Sequence, residues 1–514
     1  SFVSQETGEE VEPKEAVSVN IQMKEAMVSE KAKKAEEKAV TEVSVVHLPE
    51  NGTAEVVATT EDAKETNFEF AAESFSIYAI AKLADSENVA VIGETYFESI
   101  QKAIDSIDEN DQNVTIELLK DVTENIVSTE KSYTLDMNGH TVNGGGNGSV
   151  FTITNKTGGM VTLKNGTITG GKAVTGGGIR AIGTAKDPEV PFVLNVESCR
   201  IIGNTATGRY GTGHGGGVSL GDTGTDAAMT SNNGSVVNGT WKDTEISGNI
   251  GGGVHIHGVN VTKQQSMKPT ILVSRNKLLF ENVIINNNTK QKTDAAAGIN
   301  IAYASLTANN CTIAGNGLTT TDKAGGVFIT GYSIVDFNGG TIENNAGKTV
   351  GGLYWAGGNV TINGTVIKGN VASSNAKTCG VYLSGTSYCT FEMLSGAIYG
   401  NGTGNDIYIK LAGKYTPLKA NILAANAMQD PAMGDDFFKE YEYAWTGLEL
   451  DEAISKSGKG ATGTYKAVAG KEPSKVAKIG DQEFMSLAAA ITAAQTGTTI
   501  ELIPLDEGNS VLSM

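Results

Sequence analysis

The sequence predicts an all-β chain dominated by a parallel β-helix (solenoid), with a small N-terminal β-rich module and short strand-helix caps. Three observations lead there. Glycine is abundant, at 64 residues against nine prolines in 514, and only Gly8, Gly52 and Gly93 precede Gly139. A small-Gly-aliphatic triplet recurs as Gly177-Gly178-Ile179, Gly216-Gly217-Val218, Gly252-Gly253-Val254, Ala297-Gly298-Ile299, Gly325-Gly326-Val327, Gly351-Gly352-Leu353 and Cys379-Gly380-Val381. An Ile-x-x-Asn anchor keeps step with it, from Ile201 to Asn204 through to Ile398 to Asn401. The last four triplets lie 26 to 28 residues apart. A unit of that length, made of short period-2 apolar runs, cannot bury a face alone and must stack on its neighbours.

From the N-terminus, residues 1–85 hold 8 Lys and 18 Asp or Glu, about half of the chain's net charge of −19. They read as a small β-rich module with one helix. Glu25 to Lys38 is Ala/Glu/Lys-rich and predicts a helix, whereas Val43 to Leu48, Glu55 to Thr59, Phe68 to Phe70 and Phe75 to Ile80 alternate as half-buried strands do. Residues 86–134 predict a strand-helix cap, with Ile100, Ala103, Ile104 and Ile107 on one helical face and a strand at Val114 to Leu119. The β-helix is expected over 135–413, an extension and linker over 414–475, and a second, truncated cap over 476–514. That last segment repeats Val89 to Ile104 as Val476 to Ile491 at a constant offset of 387. The chain accordingly reads as an excised piece of a larger protein built from repeated units.

Within each rung, glycine is expected at positive-φ corners, and the recurring Asn is expected to ladder its amide along the stack. The extra residues of the early rungs, at roughly 183 to 192, 221 to 240 and 258 to 277, are expected to leave one end of the sheets as loops.

Composition narrows function. An excess of acid repels phosphate backbones and anionic lipid, so nucleic acid is not an expected partner, and no apolar run of about 18 residues exists to insert in a membrane. Four cysteines do not make a disulfide scaffold.

The segments VAVIGETYFESIQKAID, YTLDMNGHTV, GGVFITG and GGTIENN resemble the right-handed parallel β-helix regions of large cell-surface, adhesin-like proteins of Gram-positive gut bacteria. FAAESFSIYAIAKL is similar to small β modules of the same proteins. The resemblance implies a secreted or surface-displayed segment, monomeric within a larger multidomain chain, that binds a host glycan, glycoprotein or other host protein. Two alternatives stand beside it: a polysaccharide lyase or glycoside hydrolase of β-helix type, and a non-binding stalk.

Aligning the triplets places Arg180, Ser219, His255, Asn300, Phe328, Tyr354 and Tyr382 in one outward column. Phe328, Tyr354 and Tyr382 then form an exposed aromatic stripe able to stack on sugars, with Asn300 and His255 continuing the binding surface. His255 and His257 share a face, with His214 in the preceding loop, but no third ligand or orienting shell is visible, so they read as surface histidines. Catalysis would require clustered carboxylates. The candidates are Asp187, Glu189, Asp222, Asp226, Asp243 and Glu245, with Asp222, Asp243 and Glu245 the best set, yet Ile284 and Thr312 rather than acids fall opposite Glu245. Cys199 and Cys311 are expected as separate core thiols, and Cys379 and Cys389 as free or paired across a corner. No cofactor is implied. Calcium could be held by Asp and backbone carbonyls at the loops, although no ordered Asp-x-Asp series is present.

Overall fold

A computed structural model describes residues 88–108, 111, 113–183, 191–208, 215–222, 234–259, 276–290, 295–320, 322–384, 390–402, 405–409, 427–429, 448–450, 464–467, 477–484, 487–495 and 497–503, together with the strands of the first module. The chain divides into two compact units, Ser1–Ala103 and Ile104–Met514.

In the first unit, Val43–Leu48 pairs antiparallel with Glu55–Thr60 and with Ile77–Lys82, and Val17–Gln22 pairs with Asn67–Ala72. These are the four alternating runs of the sequence plus one more, with Val45 and Phe70 buried. The helix expected over Glu25 to Lys38 lies outside the described residues. Ala90–Ile92 and Thr95–Phe97 form a hairpin ahead of the helix Ile100–Asp105.

The second unit is the parallel β-helix. The parallel ladder starts at Thr115–Leu118, which pairs with Tyr133–Asp136, so it begins earlier than the expected residue 135. The onset of glycine misplaces that boundary because the first rungs turn on Asn113, Glu130 and Asn138, all at positive φ. Most later rungs contribute two strands to one long sheet and one to a second; at Asn359–Lys368 and Thr390–Tyr399 the two merge into a single strand. In a middle rung these are Lys277–Glu281, Ile284–Asn286 and Ile299–Ala302. We refer to the sheet holding Ile299–Ala302 as the triplet sheet. It runs from Ile126–Thr129 to Asn405–Ile409, continues parallel with Ala427–Gln429, and then turns antiparallel at Thr464–Ala467. An antiparallel partner ends the parallel ladder, one way to blunt an open edge.

Register follows the anchors. Ile179, Val218, Val254, Ile299, Val327, Leu353 and Val381 are stacked in register, as are Ile201, Ile246, Ile285, Ile313, Ile342, Ile367 and Ile398. All are buried, and larger side chains fill the remaining space, with Trp241 against Phe280 and Trp355 against Phe391. Both indole N–H groups find carbonyls, of Leu194 and Gly358, as buried tryptophans require.

The asparagines do ladder. Asn204, Asn249, Asn288, Asn316, Asn345 and Asn370 each donate from Nδ2 to the Oδ1 of the next Asn at 2.8–3.1 Å. The last, Asn401, donates to Asp406 at 2.8 Å. The same Oδ1 atoms accept the backbone N–H of the preceding Asn, so the buried corner is fully paired.

Glycine holds the positive-φ corner between the sheets, as expected, at Gly170, Gly203, Gly248, Gly315, Gly369 and Gly400, and it has a second role at the triplets. The corner between the two strands of the long sheet is held at positive φ by Asn138, Asn165, Ser198, Asp243, Asn282 and Asn310, polar residues that tolerate that region. The second glycine of each triplet instead provides room. A Cβ on Gly326 would lie 2.7 Å from the Gly352 carbonyl and 3.1 Å from Nδ2 of Asn345, so the glycine column is the space in which the Asn ladder packs.

At the C-terminal end, Ala477–Ile479, Gln482–Phe484 and the helix Leu487–Ala493 reproduce Ala90–Ile92, Thr95–Phe97 and Ile100–Asp105 element by element at the offset of 387. Ala477, Phe484 and Ala490 form its core, matching buried Ala90, Phe97 and Ala103. No helix among the described residues is long and apolar enough to cross a membrane.

Candidate functional site

The triplet-sheet strands end at one edge, and the connections leaving that edge differ sharply along the stack. After Ile179–Ile182, Val218–Leu220 and Val254–His257 the chain returns only at Phe192, Val237 and Lys277. After Ile299–Ala302, Val327–Thr330 and Leu353–Trp355 it returns at Ser305, Ile334 and Asn359. Three consecutive rungs thus carry long connections at the same edge, as expected. The interiors of these three connections, which contain Asp187, Glu189 and Asp226, lie outside the described residues, as does His214.

At their base lies a buried polar cluster. Thr152, Arg180, Ser219, His255 and Asn300 follow one another in register on the outward face. His255 was expected at the surface but is 3% exposed, and His257 is 6% exposed. Alternation along a strand tells which face a residue takes, not what overlies that face. Here buried Asp222, at the root of the connection from the neighbouring rung, lies beside the His255 ring, and Ser235, Asn276 and Gly258, at the roots of the long connections, are themselves buried.

Asn300 Nδ2 sits 2.8 Å from His255 Nδ1, while His255 Nε2 lies 3.8 Å from Asp222 Oδ2. With the amide donating to Nδ1, the neutral ring carries its proton on Nε2, toward the Asp222 carboxylate. His257 stacks on Tyr303 at 5.9 Å between centroids and meets His255 edge-on. Burial pulls the His257 pKa below the usual histidine value, with the Asp222 charge opposing it. Among the described residues neither ring nitrogen of His257 has a hydrogen-bond partner, and no group of three or more His, Cys, Asp or Glu is placed to hold a metal ion.

The aromatic stripe is in register as expected, Phe328 with Tyr354 with Tyr382, and Tyr408 extends it. It is not an exposed platform. Phe328 packs with Ala295, Ala296, Ala324 and Val350, Tyr408 is buried, and Tyr354 and Tyr382 are half-buried. The two tyrosines lie face to face, 4.7 Å between centroids and 6° between planes, and Lys323 Nζ stands over the rings of Phe328 and Tyr354. Strand spacing brings the faces of Tyr354 and Tyr382 onto one another, whereas Phe328 and Tyr408 each lie tilted at 52° to the neighbouring tyrosine.

The proposed carboxylate set is not brought together. Asp222 is buried beside His255, exposed Asp243 accepts from Asn282 Nδ2, and Glu245 pairs with Arg200 Nε at 3.0 Å. The Ser247 hydroxyl and Arg200 hold the Glu245 carboxyl below its usual pKa, the setting of a structural ion pair rather than of a general acid. Ile284 does fall opposite Glu245. Cys199, Cys311 and Cys379 are free thiols; burial pushes the first two up to about 12, so neither is a nucleophile near neutral pH. Cys389 lies outside the described residues.

Two contributors escaped the sequence reading. Tyr303 sits one residue beyond its strand at positive φ, and Tyr408 lies in a strand without the glycine triplet. The alternation in Asp406-Ile407-Tyr408-Ile409 was the available signal for the latter. No protein-family model, curated protein or solved structure matches this chain.

Proposed function

We propose that this chain is an extracellular, adhesin-like β-helix segment of a bacterial surface protein that binds a host glycan or glycoprotein through the loop-bearing edge of its early rungs. The observation that carries this reading is the run of three long connections, 183–191, 221–236 and 258–276, rooted side by side on a rigid ladder whose following rungs close with 303–304, 331–333 and 356–358. A stalk needs only short turns, whereas binding residues concentrate on loops held by a stiff scaffold.

The test is binding of the whole chain to an array of host and plant glycans and mucins. Variants in which 224–232 or 261–274 is replaced by a short Gly-Ser link are run in parallel. Retention of intact sugar by the parent, lost in the loop variants, supports the reading. Binding that survives both replacements moves the site elsewhere, silence across the array favours the stalk, and shortened or unsaturated products favour a lyase or hydrolase.

A further inference from the structure

We propose that the cleft around Lys172 and Arg180 is a subsite for acidic glycans, receiving the carboxylate of a uronate or a sulfate ester; it rests on the recognition reading above and specifies the ligand class. Two independent observations converge on it. Residues 137–186 contain no Asp or Glu but hold Lys156, Lys164, Lys172, Arg180 and Lys186, in a chain with 58 acidic against 39 basic side chains. The fold then gathers part of this stretch around a cleft of about 640 Å³ on the outward side of the triplet sheet. Lys172, Arg180, Asn147, Ser149, Thr152 and Thr207 line it, and no carboxylate does among the described residues.

Both cations stand on ladder strands. Lys172 begins the strand that pairs with Thr205–Ala206, and its backbone exchanges two 2.8 Å hydrogen bonds with Gly148. Arg180 is half-buried between Thr152 and Ser219 in the outward column that leads to the long connections. A guanidinium fork suits the paired oxygens of a carboxylate or sulfate, an ammonium adds charge, and side-chain amide and hydroxyl groups suit sugar hydroxyls. The volume lies within the range of small-ligand sites. Near the same early rungs, a groove of about 860 Å³ is instead lined by Asp108, Asp111 and Glu130 with Lys131, which marks the Lys172 cleft as the anion-seeking one.

The experiment measures binding of the whole chain to polygalacturonate, hyaluronan and heparin, to carboxyl-reduced or desulfated forms of each, and to polyphosphate. The acidic polymers are expected to bind at least about tenfold more tightly than their neutralised forms, with affinity falling as salt is raised. Lys172→Glu, at an exposed position, and Arg180→Gln should each weaken acidic-polymer binding about tenfold at unchanged Tm. If Arg180→Gln lowers Tm, Lys172→Glu decides alone. Equal binding of acidic and neutralised forms, parent-like binding by Lys172→Glu, or equally tight binding of polyphosphate overturns the subsite. Uronate-only or sulfate-only binding upholds it and identifies the group received. Binding confined to neutral glycans overturns the subsite while leaving the recognition reading standing, and no glycan binding at all overturns both.

Discussion

The early and late rungs of the β-helix share one interior and differ on the outside. Inside, the Ile and Val columns and the Asn ladder run unchanged from Asn204 to Asn401. Outside, the early rungs lay a polar column of Arg180, Ser219 and His255 at the strands that carry long connections, whereas the following rungs continue the same column as Asn300, Phe328, Tyr354 and Tyr382 beside shorter turns. A ladder whose stability comes from its interior can vary its outer face rung by rung, because each outer residue touches only its neighbours along the stack.

The sharpest way to break the shared part is Asn316→Ala. It leaves the Ile285 carbonyl, the Asn288 amide and the Asn288 backbone N–H without their present partner. The expected loss is about 3 kcal/mol, since unpaired buried polar groups cost far more than a hydrogen bond contributes. Denaturant unfolding followed by circular dichroism reads it, and a change near zero would mean that the ladder is decorative.

The late face is tested next. Tyr354→Ala and Tyr382→Ala should each cost about 1–2 kcal/mol, with a coupling of about 1 kcal/mol in the double-mutant cycle. Additive costs would show that the face-to-face pair contributes nothing as a pair.

A smaller and pH-dependent change separates the early face from the late one. Because burial lowers the folded-state pKa of His257, the unfolded chain takes up its proton first as pH falls. The stability this neutral histidine contributes is present above about pH 6.5 and is lost as pH drops through that value toward the lower folded pKa. Tm measured from pH 7.5 to 5 should fall less in His257→Gln than in the parent, while Tyr382→Phe should leave the slope unchanged. Parallel slopes for all three proteins would show that His257 does not report on acidification.

The smallest effect is expected at Glu245→Gln, which removes an ion pair to a guanidinium side chain that is 58% exposed. The cost should stay under about 1 kcal/mol. With glycan binding unaltered, that result would sharpen the distinction between the Glu245 corner and the loop-bearing edge.

The parallel β-helix was legible in the sequence because its physical causes are local and repeated. Triplet and Ile-x-x-Asn anchors, seen as letters, became registered columns, and the 387-residue offset became two matching strand-helix segments. The outward direction of His255 and Tyr354 was equally legible, since side chains alternate along any strand. Their environment was not. Whether His255 meets water depends on the roots of connections from neighbouring rungs, and whether Tyr354 offers its face depends on Tyr382, twenty-eight residues further along the chain. The same limit applied to Asp222, Asp243 and Glu245, near one another in sequence yet held by different partners.

By itself, then, the sequence determined the fold class, the registered columns and the edge from which the long connections leave, because a short periodic pattern has only one way to bury its apolar positions: by stacking. Only the tertiary structure decided that the triplet glycines make room for asparagines, that the histidines are buried, that the tyrosines stack on each other and that Lys172 and Arg180 share a cleft. Those outcomes depend on contacts between rungs, which are set by distances across the stack and not by the order of residues within a rung.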